Sequence, residues 1–182
     1  DVSCVMNAGK LTIEHLELAM GRSSYTVVVA DKAGNESSLT IQIERLDNTV
    51  IEWNHVALET IQSTGTAPPA ATRALAMESL AVYDVVNLIQ GNDTFFVDQA
   101  FGVPSKIDLQ AAIATAAHGV LKTLYATDAG LYKGSSAVRT HLDDALADAR
   151  GDVADGTAKT NGIRLGQQVA AAVIAKRAHD GW

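Results

Sequence analysis

The sequence holds a single cysteine, Cys4, which excludes an intrachain disulfide and a multi-cysteine zinc site. It has only three prolines and 19% charged residues, which with its apolar content excludes wholesale disorder. It lacks a run of Lys and Arg, and 21 acidic residues outnumber 14 basic ones for a net charge of −7. That balance argues against nucleic acid or an anionic membrane surface as partner. No apolar run approaches the roughly 18 residues a spanning helix needs. What is present is a 47% hydrophobic composition, enough to fold.

Residues 1–47 read as β-structure. Leu11 and Ile13 alternate with Thr12 and Glu14, Tyr25–Ala30 is a β-branched run, and Leu39, Ile41 and Ile43 alternate with Thr40, Gln42 and Glu44. Asp31-Lys32-Ala33-Gly34-Asn35-Glu36 joins the last two runs as a hairpin turn, because Gly34 and Asn35 tolerate positive φ. Its acidic residues lack EF-hand ligand spacing, so it is a turn and not a calcium loop. Three strands cannot bury two faces, and these are expected to need partners.

From Asn48 the chain becomes alanine-rich and helical, and five helices are expected over 48–182. Val50, Trp53, Ala57 and Ile61 mark the first, which Gly65 ends. Pro68-Pro69 opens a second, whose face runs Ala70, Arg73, Met77, Leu80, Asp84, Val85 and Leu88. After a loop from Gly91 to Pro104, Ser105 is the expected N-cap of a helix burying Leu109, Ile113, Ala117, Val120, Leu121 and Leu124. A fourth helix starts at Ser135 or Ser136 and uses Val138, Leu142, Ala145 and Leu146. A fifth runs from about Asp152 through Val153, Ile163, Leu165, Val169, Val173 and Ile174. The expected fold class is mainly α, a helical bundle with a short amino-terminal β-hairpin or partial β-sandwich. Gly162 and Gly166 cost helix propensity, so a neighbouring helix is expected to need their space.

Candidate chemistry is sparse. Arg73 and Asp84 share a helix face and either anchor an anion or pair with neighbouring helices; the second reading is favoured. His118, among small residues, reads as a core histidine bonded to a carbonyl. His141 and Asp144 lie close on one helix without a second histidine at metal-ligand spacing. Asp144, Asp148, Asp152 and Asp155 read as a solvated stripe. No Ser/His/Asp trio assembles, and the catalytic, cofactor-binding and metal-site assignments are all none.

Two resemblances add to this. Tyr25–Ser38, with its D-x-A-G-N-x-S-S turn, is similar to the closing strands of bacterial extracellular immunoglobulin-like modules, which implies a secreted or cell-surface protein. The segments Val50–Asn54, Ala57–Ile61, Thr64–Pro69, Arg73–Met77 and Ala81–Asn87 resemble the amino-terminal helices of vanadium-dependent haloperoxidases. More broadly they are similar to the type-2 phosphatidic acid phosphatase superfamily. Ala111–Leu121 and Gly162–Gly181 continue the match in order.

The resemblance implies an all-α bundle whose oxyanion site lies in a carboxy-terminal half. There a lysine, two arginines, a Ser-Gly-His segment and a further histidine hold vanadate or phosphate. This sequence contains no Arg-Pro and no Ser-Gly-His, so none of those residues maps onto it. The expectation is an internal segment of a longer protein that begins at Asp1 and stops short of the catalytic residues. By itself it would be an inactive scaffold with no cofactor, vanadate belonging to the full-length enzyme. Its partner would be the carboxy-terminal catalytic half of the same chain, with a homo-oligomer possible and no nucleic acid or membrane span. Acid phosphatase of the same superfamily and a non-enzymatic surface adhesion or display module are the alternatives.

Overall fold

A computed structural model describes residues 3–7, 10–14, 21–45, 48–91, 94–129 and 131–181. The chain divides into two compact units, residues 1–47 and 48–182.

The first unit holds two antiparallel hairpins, β1 (Ser3–Asn7) with β2 (Lys10–Glu14) and β3 (Gly21–Ala30) with β4 (Glu36–Arg45). β1 adds a fourth strand to the three expected. In the second hairpin Tyr25 faces Ile41 and Val27 faces Leu39, while Thr26 faces Thr40 on the other side of the ribbon, their hydroxyls 3.0 Å apart. The turn is closed as its residues suggest. The Asp31 carboxylate accepts from the amides of Ala33 and Asn35 at 2.8 and 2.9 Å, and Gly34 takes φ +85°.

The second unit is a bundle of α1 (Thr49–Thr64), α2 (Pro68–Gln90), α3 (Leu109–Leu124), α4 (Ser136–Gly151) and α5 (Thr157–Arg177). Gly65 (φ +59°) ends α1 in a Schellman motif, its amide bonding Gln62 O and that of Thr66 bonding Ile61 O. Pro68 and Pro69 occupy the first turn of α2, and the Ser135 hydroxyl caps α4 by accepting from Val138 N.

Two expected starts move. Ser105 is not the cap of α3: Asp108 is, accepting from Ala111 N at 2.8 Å, and its own amide is held by Ala158 O. α5 begins at Thr157 and not near Asp152, because Lys159 folds back onto Val153 O and Asp155 and holds 152–156 as a turn.

α3 is the axis of the bundle. Every residue from Ala111 to Ala117 is buried, and α1, α2, α4 and α5 all pack on it. A helix buried on all sides needs small side chains wherever a neighbour crosses closely, and α5 supplies glycine there. A Cβ on Gly166 would lie 2.5 Å from Ala112 O and one on Gly162 2.5 Å from Asp108 O. The apolar core runs from Trp53 and Ala57 on α1 through Met77, Ala81 and Val85 on α2 to Leu142 on α4 and Leu165, Val169 and Val173 on α5. Among the described residues no helix is long and apolar enough to cross a membrane.

Candidate functional site

The polar residues marked in the sequence fall into separate clusters. Arg73, on α2, donates from Nη2 to Arg177 O at 2.8 Å and reaches both oxygens of Asp180 at 3.3 Å. Arg177 Nε lies 2.6 Å from the same carboxylate. The group clasps the end of α5 to α2. Asp84, three helical turns on, does different work. Its buried carboxylate accepts from Phe96 N at 2.7 Å and Val97 N at 3.1 Å, while Asn87 Nδ2 donates to Thr94 O. Both residues are occupied by structure, and they do not meet.

His118 finds a carboxylate and not the carbonyl expected. Its Nε2 lies 2.9 Å from Asp143 Oδ1, on α4, and its ring meets Trp53 edge-on. Lys122 donates to both oxygens of Asp143, and with His118 holds that carboxyl below its ordinary range. Asp143 is therefore ionised and His118 Nε2 carries the proton. Burial lowers the imidazole's own pKa against the pull of Asp143, keeping the ring neutral near pH 7. His141 pairs with Glu59 of α1 at 3.4 Å and not with Asp144. Asp144, Asp148, Asp152 and Asp155 are exposed as expected.

Two features escaped the sequence reading. Beside His118, a groove of about 370 Å³ between α3, α4 and α5 is lined in part by Arg150, which donates to the Thr115 hydroxyl at 3.2 Å. Between α1 and α2 an apolar groove of about 260 Å³ has Glu78 in its wall. Glu78 is 1% exposed, and burial pushes its carboxyl up to about 7, only weakly opposed by the Ser79 hydroxyl at 3.3 Å. Glu78 lies outside the helix face drawn from the sequence, and Arg150 sits at the end of an acidic helix. Neither carries a sequence signal.

The sequence that forms these five helices matches a known domain family. The profile of the vanadium chloroperoxidase N-terminal domain matches residues 42–181, spanning all five helices. The chain belongs to the vanadium chloroperoxidase N-terminal domain family. No curated protein and no solved structure matches it. The match begins within β4 and leaves out the rest of the β unit.

A vanadium chloroperoxidase N-terminal domain raises the question of vanadate, an oxyanion that needs several cationic donors converging on one point. The described residues do not fit that requirement. Arg73 and Arg177 are committed to Asp180, Lys122 and the His118 Nε2 proton to Asp143, and Arg150 donates to the Thr115 hydroxyl. No step of a vanadate mechanism is assigned to these residues.

Proposed function

We propose that this chain is the scaffold portion of a vanadium haloperoxidase-like enzyme. In this reading it supports a carboxy-terminal catalytic half in which peroxide oxidises halide at a vanadate site. The observation that carries the reading is the family match across α1–α5. Two features of the bundle support it. Arg73, Lys122, Arg139, Lys159, Lys176 and Arg177 are spent on ion pairs that hold helices and loops together, as a scaffold requires. Furthermore, α1 and α2 leave Val50 (41% exposed), Ile51 (59%), Leu58 (50%) and Tyr83 (45%) uncovered, an apolar face suited to packing against further helices. The β unit, with its Asp31–Asn35 turn, is taken as the end of an immunoglobulin-like spacer, and the enzyme as secreted or surface-bound.

The test is direct. Given orthovanadate, hydrogen peroxide and bromide or chloride, the 182-residue chain oxidises no halide above the rate of free vanadate. Robust turnover would overturn the scaffold reading. Reading the gene past the Trp182 codon is the companion measurement, with lysine, arginine and histidine oxyanion residues expected downstream.

A further inference from the structure

In a chain with more carboxylates than cations, a half-buried cation should readily find an acid. Arg73, Lys122, Arg139, Lys159, Lys176 and Arg177 each do so, at 2.6 to 3.3 Å. Arg150 is the exception. Among the described residues its side chain has one partner, the Thr115 hydroxyl, which spends its own proton on Ala111 O at 2.6 Å. Among the described residues its Nε is buried without an acceptor and no carboxylate pairs with the guanidinium. A desolvated guanidinium with no counter-charge is unfavourable, and the unfavourable term is removed by whatever brings a negative charge to it.

The groove over Arg150 limits what that charge can be attached to. Leu146 on α4 and Ala170, Ala171 and Ile174 on α5 supply its apolar lining, beside the neutral polar groups of Thr115, Thr123 and Gln167. His118 contributes no second positive charge, since the ring is neutral and its proton is engaged by Asp143. One cation beside a patch of apolar side chains matches a monoanion with an apolar body, whereas a dianion would keep one charge uncompensated. A guanidinium edge and a carboxylate form two parallel hydrogen bonds, the strongest arrangement open to Arg. About 370 Å³ falls in the range of small-molecule sites.

We propose that the groove between α3, α4 and α5 binds a small apolar carboxylate, with Arg150 gripping the carboxylate and Leu146, Ala171 and Ile174 enclosing the body. The proposal is independent of the scaffold role, because it concerns a ligand of the bundle itself.

The test is titration of the 182-residue chain with benzoate, followed by amide NMR shifts and calorimetry. Benzamide serves as the uncharged control and inorganic phosphate as the bare oxyanion. Benzoate is expected to bind saturably, shifting resonances of α3, α4 and α5 around the groove, with benzamide and phosphate at least roughly tenfold weaker. Arg150→Gln should weaken benzoate by a similar factor, while Arg164→Gln, on the exposed face of α5, leaves it unchanged. Gln167→Glu would supply the missing charge from within. It changes an exposed residue, and it should abolish benzoate binding and raise Tm together. Equal affinity for benzamide, tighter binding of phosphate, no saturable benzoate binding, or unaltered binding by a folded Arg150→Gln or Gln167→Glu protein would each overturn the proposal.

Discussion

The β3–β4 hairpin and the helical bundle carry similar aliphatic side chains and treat them in opposite ways. In the hairpin Val28 is 55% exposed, Leu39 63% and Ile41 40%, although their alternation and register are regular. In the bundle Val85, Val120, Val169 and Val173 are all fully buried. A two-stranded ribbon satisfies its backbone hydrogen bonds and fixes which side chains share a face, but it offers no second layer. Burying a valine or leucine contributes about 1.5–3 kcal/mol, and that contribution is available only where helices close around α3. Periodicity sets direction; packing supplies the energy.

The sharpest way to break the contrast is to add volume where helices touch. Gly166→Leu puts a Cβ 2.5 Å from Ala112 O and 2.8 Å from the Thr115 Cβ, backbone and core of a buried helix that cannot move aside. The expected loss exceeds about 3 kcal/mol, enough to unfold a marginal domain. Circular dichroism and urea denaturation read it, and a cooperative transition at the wild-type midpoint would show that the crossing of α3 and α5 is looser than described.

Glu78 comes next, and its effect depends on pH. In the unfolded chain the carboxyl ionises near 4.5; in the bundle burial pushes that to about 7. Below 4.5 both states are protonated and Glu78 contributes nothing. Between 4.5 and 7 only the unfolded state has released the proton, so stability falls as pH rises, and above 7 the deficit is constant. Glu78→Gln should therefore raise stability at pH 8 by up to about 3 kcal/mol and leave it nearly unchanged at pH 4. Parallel stability–pH curves for the two proteins would count against the burial of this carboxyl.

These two residues also mark how far the sequence can be read. Gly162 and Gly166 were legible, since two glycines in one helix face require a reason and a close neighbour supplies it. Gly65, Pro68-Pro69 and Ser135 set helix ends through the conformations their own backbones and hydroxyls prefer, so those boundaries were local information. The first turn of α3 was not, because the choice of Asp108 over Ser105 depends on Ala158 O reaching the Asp108 amide from fifty residues away. Glu78 was invisible because α2 packs on α1, α3 and α5, and the buried arc is wider than one stripe of Met77, Ala81 and Val85. The partner of His118 was equally hidden: Asp143 looks like any acid on the polar helix α4, and only the packing of α4 on α3 joins them. The clasp of Arg73 to Asp180 was foreseen in kind but not in partner. Arg150 had no local signature, since what distinguishes it arises from packing: among the described residues its Nε is buried without an acceptor.

Asp84→Ala tests a connection of middle size. The carboxylate holds the amides of Phe96 and Val97, and a buried acceptor removed leaves two donors unpaired. About 2 kcal/mol is expected to be lost, with protease cleavage after Phe95, Phe96 or Phe101 becoming faster as the loop loses its anchor on α2. Asp84→Asn should fall between, one carbonyl oxygen serving where two carboxylate oxygens did. Equal protease resistance in all three proteins would mean that Asn87, which donates to Thr94 O, and Lys176, which meets Asp98 at 3.0 Å and lies over the Phe96 ring, hold the loop without Asp84.

The smallest effect is expected where the sequence pattern looks strongest. Leu39 occupies an ideal alternating position opposite Val27, and by pattern alone its replacement should resemble the loss of a core leucine. At 63% exposure it has little contact area to lose, so Leu39→Thr, which puts a β-branched residue in the strand, should change stability by less than about 0.5 kcal/mol. Leu142→Ala on α4, a fully buried leucine, should cost about 2–5 kcal/mol under the same conditions. If Leu39→Thr costs as much as Leu142→Ala, the hairpin face is covered in solution, and the covering surface becomes measurable by cross-linking from that position. If it does not, a regular alternation of apolar residues in this chain marks a strand without marking a core.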